Sequence, residues 1–367
     1  AGNKDNDEVK MLATNTLIFT VLLSIAFTIV GLLTIDPLFI AMGADENILP
    51  LIREYVIIWY FSPLFIMVPM TGGSVMRALG DTKLQGNLML FSAIANAVLD
   101  PILIFGLIGF PEMGLQGAAL ASLITRFISF ATILYFLIFK FDVICIQRKT
   151  LDKFMVAIKR TMHVGIPATG TNMIIPIVAA IIISIIARYG NEAVAATNVA
   201  TTIESLSLVL FFSLSAVVGP FIGQNLGAGN FDRIEECIKK ASIFCILWGG
   251  FMALLLAALA PTLANMFSDK PEIANITISY LYVVPASYGL YGLVMSVNAM
   301  FNSIGKPMPG VAISTFRVFI LQLPLVYLAS ILYDLQAAFM LISASNMIAG
   351  VIGYFWIEKA IKQLREA

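Results

Sequence analysis

The chain has 367 residues, 59% of them hydrophobic and only 12% charged, and its 22 basic and 22 acidic residues balance to zero net charge at a mean hydropathy of +0.93. Soluble domains average about 45–50% apolar and about 25% charged residues, so this composition excludes a soluble enzyme, a disordered chain and a coiled coil. The absence of a basic excess argues against a nucleic-acid partner, and a polytopic membrane protein in contact with the lipid bilayer is what remains.

Ten apolar runs are long enough to cross about 30 Å of hydrocarbon as helices. They cover approximately 9–34, 48–76, 84–109, 114–140, 164–188, 192–222, 238–265, 274–303, 308–333 and 335–357. Short polar turns join most of them, among them GDTK at 80–83, GFPEM at 109–113, RYGNEA at 188–193 and GKPMP at 305–309. A closed β-barrel would show stretches of about ten residues in strict alternation. These runs are longer and uniformly apolar, so an all-α membrane protein is expected.

The longest polar interval is 140–163. Within it Leu151, Phe154, Met155 and Ile158 share one helical face, and Lys149, Lys153, Lys159 and Arg160 lie mostly off it. That spacing predicts a helix in the membrane interface, which also serves as a linker between two bundles. Three regions follow: 1–140, the linker 141–163, and 164–367. With a cytoplasmic N-terminus, seventeen of the 22 basic residues fall on the inner side. Arg53, Arg188 and Lys270 fall outside, and Arg126 and Arg317 lie within runs. The bias predicts both termini inside.

The two halves repeat in parallel order. AGNKDNDEVKMLATNTL at 1–17 resembles AGNFDRIEECIKKASIF at 228–244, RALGDTK at 77–83 aligns with NSIGKPM at 302–308, and LQGAA at 115–119 matches LQAAF at 335–339. The first four runs thereby match the last four, and the fifth and sixth have no upstream counterpart. The expectation is two pseudo-symmetric bundles, four of six helices in the first and six in the second, in a fragment lacking about 65–90 residues at its start.

Polar side chains inside the runs carry the chemistry, because an intramembrane carboxylate is costly. Asp100 lies in the third run with Asn96 one turn earlier on the same face, and Pro101 frees the carbonyl of Ala97. A carboxylate, an amide and a released carbonyl suit a proton or a small hard cation such as Na⁺. The bland alternative is an Asp that caps a helix break or pairs with Arg126. Glu204, in the sixth run beside Thr197, Asn198, Thr201 and Thr202, is a second candidate, for a cation or as a counter-charge to substrate, with Asn172 of the fifth run close in character. Its alternative is a hydrogen-bonded contact between helices. Arg126 and Arg317 are expected to pair with carboxylates or reach the interface. Tyr288 and Tyr291 of the eighth run, with Asn298 and Gln322, could line a chamber for aromatic cations. Tyr280 and Tyr282 fit that chamber or an interfacial belt with Tyr55, Trp59 and Tyr60. Asn298, Gln322 and Asn346 also suit contacts between helices. Cys145, Cys237 and Cys245 have no CxxC spacing, and His163 is the single histidine, so no zinc or His-based metal site and no cofactor are expected, with Na⁺ at Asp100 the one metal ion left open.

GQNLGAGN at 223–230, RALGDTK at 77–83, NAVLDPILIFG at 96–106 and GLQGAALAS at 114–122 together resemble the multidrug and toxic compound extrusion (MATE) family. The resemblance covers essentially the whole chain from the family's third helix onward. It implies a monomeric exporter of amphipathic, often cationic, drug-like compounds in the plasma membrane, driven by H⁺ or Na⁺, and not an enzyme. It also implies that Asn96 and Asp100 belong to a cation site, with Ser122 where the family often has Thr. The eighth run carries no acid between Tyr280 and Asn302 and the fifth no glutamate, which places the chain nearer the DinF-like branch. A lipid-linked oligosaccharide flippase of the same superfamily is the alternative, for which two intramembrane arginines are few.

The charge bias yields a topology test. Cysteines introduced into the loop at 109–113 should react with impermeant maleimide in intact cells, and cysteines at 145–160 only after permeabilisation; the reverse pattern would invert the orientation.

Overall fold

The structure is a computed structural model that describes residues 6–41, 49–145, 152–268 and 270–366. All regular structure among these residues is helical. In hydrocarbon every peptide group must be paired within its own segment, which apolar runs of this length achieve as helices.

The first unit lies within residues 3–161. It contains α1 (Asn6–Ala41), α2 (Leu49–Tyr60), α3 (Pro63–Ala78), α4 (Lys83–Ile104) and α5 (Gly114–Tyr135), the last ending in a π-helical turn, Phe136–Lys140. Its small core is built from Val68, Met76, Ile133 and Leu137. Gly117 of α5 lies against the carbonyl of Leu103 in α4, where a Cβ would come within 2.5 Å of that oxygen. At the α3–α4 turn Asp81 accepts from the Leu84 amide and from Lys140, both at 3.0 Å. The Leu84 amide, and then the Lys140 ammonium, hold its carboxyl below the usual aspartate range. Segment 141–145 is tied to α1, since Thr14 donates to the carbonyl of Val143 and accepts from the Cys145 amide.

The second unit lies within residues 162–367. The boundary falls inside α6 (Phe154–Ile186), which is followed by α7 (Asn191–Ser207), α8 (Val209–Gly227), α9 (Phe231–Phe267), α10 (Pro271–Val283), α11 (Tyr288–Ser303), α12 (Pro307–Thr315), α13 (Leu323–Leu332) and α14 (Leu335–Glu366). Its larger core includes the fully buried Phe211, Tyr288, Phe301 and Phe339. Helix α11 is the axis around which this unit closes. The backbones of α9 and α11 meet at Gly249 and Gly289, where a Cβ on Gly249 would stand 2.3 Å from the Gly289 Cα. Phe211 of α8 occupies the place of a Gly292 side chain, and Gly350 of α14 rests on the carbonyl of Leu290. Lipid tails give helices no hydrophobic incentive to associate, so small residues that admit this close contact do the packing.

Ten helical segments are long and apolar enough to cross a membrane, in agreement with the number of runs. Two details differ from the sequence expectation. The sixth run is two helices, because α7 ends at Ser207 and α8 begins at Val209. The apolar span is Val209–Gly227, so Glu204 stands before the break and not midway along one helix. In the interval 140–163, Lys149 and Leu151 lie outside the described residues. From Phe154 onward the chain is already α6, which runs without interruption to Ile186, so Phe154, Met155 and Ile158 form its first turns and not a separate interfacial helix. No glycine or proline stands between Phe154 and Gly165 to stop it.

The glycine contact gives a stability test. Gly249→Val should destabilise the protein by about 1–3 kcal/mol, because backbone faces backbone there. Gly250→Ala, with nothing within 4 Å of the added methyl, should be neutral or stabilise by up to about 1 kcal/mol. Thermal unfolding in detergent distinguishes them; equal midpoints would deny the close approach.

Candidate functional site

In α4 the proline at 101 does not end the helix, which continues to Ile104. Asn96 and Asp100 lie one turn apart and half-buried, and the Asn96 amide donates to the Asp100 carboxylate at 3.4 Å. Asn96 is the carboxylate's only hydrogen-bond partner among the described residues. Arg126 does not pair with it. The guanidinium instead lies 4.2 Å over the ring of Trp59, leaving Nη1 buried without an acceptor. The pairing alternative for Asp100 and the carboxylate partner expected for Arg126 are thereby both corrected: an aromatic face supplies the counter-density. The Ser122 side chain makes no hydrogen bond among the described residues, while its carbonyl accepts from Thr125 at 3.0 Å. The first unit therefore presents an acid whose one neighbour is a neutral amide, an arrangement able to take up a proton or contribute an oxygen to a cation.

In the second unit the polar side chains gather where helices break. Pro285 interrupts the eighth span with a 3₁₀ turn, Val284–Ser287, and the ninth span contains a π-helical segment, Phe316–Gln322, just ahead of Pro324. Such segments expose backbone groups and are frequent at functional sites. The π segment carries Arg317, which is only 8% exposed. Its Nη1 donates to Asn346 Oδ1 at 2.8 Å and to Gln322 Oε1 at 3.4 Å. The Asn346 amide donates in turn to Ser287 Oγ at 3.2 Å, and Ser287 donates to the carbonyl of Val284. The guanidinium carbon stands 4.7 Å over the Tyr291 ring. Arg317 thus neither pairs with a carboxylate nor reaches an interface, which corrects both expectations; two neutral amides and an aromatic ring hold it.

Glu204, on the last turn of α7, accepts a hydrogen bond from the Tyr280 hydroxyl of α10. Tyr280 is 4% exposed and so is no member of an interfacial belt, whereas Tyr282 is 54% exposed. Glu204 and Arg317 act on each other electrostatically without forming an ion pair. The neighbours expected to assist Glu204 do not reach it, since Thr201 and Thr202 donate back to the carbonyl of Asn198 on their own helix. Asn172 similarly donates to the carbonyl of Ala168 at 3.0 Å.

A cleft of about 210 Å³ is lined by α6, α8, α11, α12 and the start of the π segment. Asn172, Tyr291 and Asn298, three of the residues singled out in the sequence, line it together with Arg317. Tyr288 and Gln322 do not: Tyr288 is fully buried behind it with an unpartnered hydroxyl, and Gln322 holds Arg317. The Asn298 amide donates to Ser314 Oγ at 3.0 Å, while its Oδ1 is buried without a partner. Ser287 and Ser314 escaped the sequence reading, although Pro285 and Pro324 marked the breaks near which they lie. Among the described residues no three His, Cys, Asp or Glu side chains converge as metal ligands.

The Glu204–Tyr280 contact can be tested by a double-mutant cycle. Glu204→Gln and Tyr280→Phe should each lower the unfolding midpoint, and the double variant should be less than additive by about 1 kcal/mol, the scale of hydrogen bonds between helices in membranes. Strict additivity would mean that the two groups do not interact.

The family profile described as MatE matches residues 1–102 and 167–328. A protein of Shewanella oneidensis named as an FAD transporter is 30% identical over 364 residues, which span 99% of this chain and 80% of that protein. A probable multidrug resistance protein of Bacillus subtilis, YoeA, is 25% identical over 378 residues, spanning 99% of this chain and 81% of its own. Among solved structures, a mutant of the Vibrio cholerae MATE transporter VcmN superposes with a TM-score of 0.93 at 26% identity, covering 100% of this chain and 83% of that one.

Proposed function

The chain belongs to the MATE family of membrane transporters, and from that membership we infer an exporter of small molecules energised by an inward flow of H⁺ or Na⁺. The observation that carries the coupling is the Asn96–Asp100 pair, an intramembrane carboxylate with one neutral partner. Such a group can exchange a cation without first breaking an ion pair. Coupling requires only that cation and substrate bind two conformations of the protein unequally. Emptying and filling of Asp100 would bias that equilibrium. The protein resides in the plasma membrane with both termini in the cytoplasm and works as a monomer.

Amphipathic drug-like compounds are the substrates suggested by relatives named for multidrug resistance. A second reading, export of a flavin dinucleotide, is suggested by the name of the Shewanella relative. One observation favours it: the charged residue lining the cleft of the second unit is a cation, Arg317, which suits a negatively charged part of such a substrate, the cleft of about 210 Å³ being too small for a whole dinucleotide.

Asp100→Asn preserves shape and hydrogen-bonding capacity but cannot bind and release a proton or carry the charge that holds Na⁺. In proteoliposomes with an imposed cation gradient it should lower efflux of ethidium or of FAD by about tenfold or more, the scale on which a group essential to a step is felt, with Glu204→Gln affected less. Parental efflux by Asp100→Asn alongside an inactive Glu204→Gln would move the coupling to the second unit.

A further inference from the structure

We propose that the cleft bounded by α6, α8, α11 and α12 is a binding site for small aromatic monoanions, with Arg317 as its charge anchor. The proposal deepens the exporter reading by giving it a substrate class.

Charge is the first ground. Arg317 is the single charged residue among those lining the cleft. Its hydrogen-bond partners, Asn346 and Gln322, are neutral amides, and it forms no ion pair among the described residues. Glu204 acts on it through space, but that carboxylate is occupied by the Tyr280 hydroxyl. The positive charge is therefore held in place and left uncancelled by contact. A desolvated, uncancelled cation is costly, and an anion at the same depth offsets that cost.

Geometry is the second. The amides engage Nη1, whereas Nε is buried with no acceptor. Nε shares the guanidinium edge away from Nη1, and that edge can receive a carboxylate through two parallel hydrogen bonds. The Tyr291 ring lies 4.7 Å from the guanidinium carbon and its hydroxyl also engages the group, so the guanidinium is held in place beside the cleft.

The third ground is the rest of the lining. Phe212, Val294 and Met295 supply apolar and aromatic surface, and Asn298 and Ser314 supply adaptable polar groups. Ser314 can donate as well as accept, so rotation of the Asn298 amide by a half-turn keeps their mutual bond and turns the unpartnered Oδ1 into an unpartnered N–H. The volume of about 210 Å³ exceeds the roughly 150 Å³ that admits benzene in an engineered cavity, leaving room for one charged substituent. A cation of the same shape would instead face Arg317 at close range.

Binding is measured on the full chain in detergent, by titration calorimetry without any gradient, using benzoate, benzamide and benzylammonium as a series of similar size that differs chiefly in charge. Benzoate should bind about tenfold or more tightly than either of the others, the scale of one charge-assisted hydrogen-bonded pair. Arg317→Gln should abolish that preference while leaving benzamide affinity within about threefold. Asn298→Asp, which adds a carboxylate to the cleft at constant shape, should weaken benzoate by about tenfold and favour benzylammonium. Where Arg317→Gln does not fold, the wild-type series and Asn298→Asp decide. Equal affinity for the three probes, tightest binding of benzylammonium, or a benzoate preference that survives Arg317→Gln overturns the proposal. Because no transport is involved, such a result leaves the exporter reading standing; failure of gradient-driven efflux with benzoate binding intact counts against that reading alone.

Discussion

A peptide group in hydrocarbon has no water to bond, so every amide and carbonyl must find its partner inside the protein. Continuous helices meet this requirement from the sequence alone, and the greater part of the chain follows that solution. Breaks are tolerated where neighbouring side chains or the wall of a cavity receive the released groups. The second unit places its breaks accordingly. The 3₁₀ turn at Val284–Ser287 delivers Ser287 to Asn346, and the π segment delivers Arg317 both to Gln322 and to that same asparagine. In that turn Ser287 also donates to the carbonyl of Val284, so a side chain there meets a backbone acceptor.

The internal repeat gives these positions a relationship across the two units. Shifting Asn96 by the offsets of 220–225 read from the matching loops places it at 316–321, a window that opens on the π segment and includes Arg317. Corresponding helices of the two repeats therefore carry an amide and an acid in one case, Asn96 and Asp100, and a base and an amide in the other, Arg317 and Gln322. The acid and the base thus stand on different helices, Asp100 half-buried in α4 and Arg317 buried in the π segment.

The sequence was most legible where a single physical demand sets the pattern. Ten apolar runs are ten membrane-crossing segments because length and hydropathy leave no other choice. The Asn96–Asp100 hydrogen bond follows from helical spacing alone. What escaped was decided by tertiary contact. Arg317 could have met a carboxylate, and only packing shows that Asn346, Gln322 and Tyr291 reach it first. Tyr280 reads equally as a belt residue until α10 is set against α7 and its hydroxyl meets Glu204. The break at Leu208 bears no proline or glycine, so nothing local announces it. The first turns of α6 looked interfacial because their lysines lie off one face, a pattern that a long helix emerging from the membrane also produces.

Helix α11 touches α9, α8 and α14 through glycines that leave no slack. The cleft wall that bears Tyr291, Val294, Met295 and Asn298 is consequently an anvil, incapable of yielding to a visitor of the wrong shape. On the facing wall Thr171 and Asn172 of α6 donate to carbonyls of their own helix. Under the anion proposal, a wall locked by such close helix contacts would hold the groups around Arg317 in one fixed arrangement. Fidelity to a single sign of charge would then be a property of that one wall.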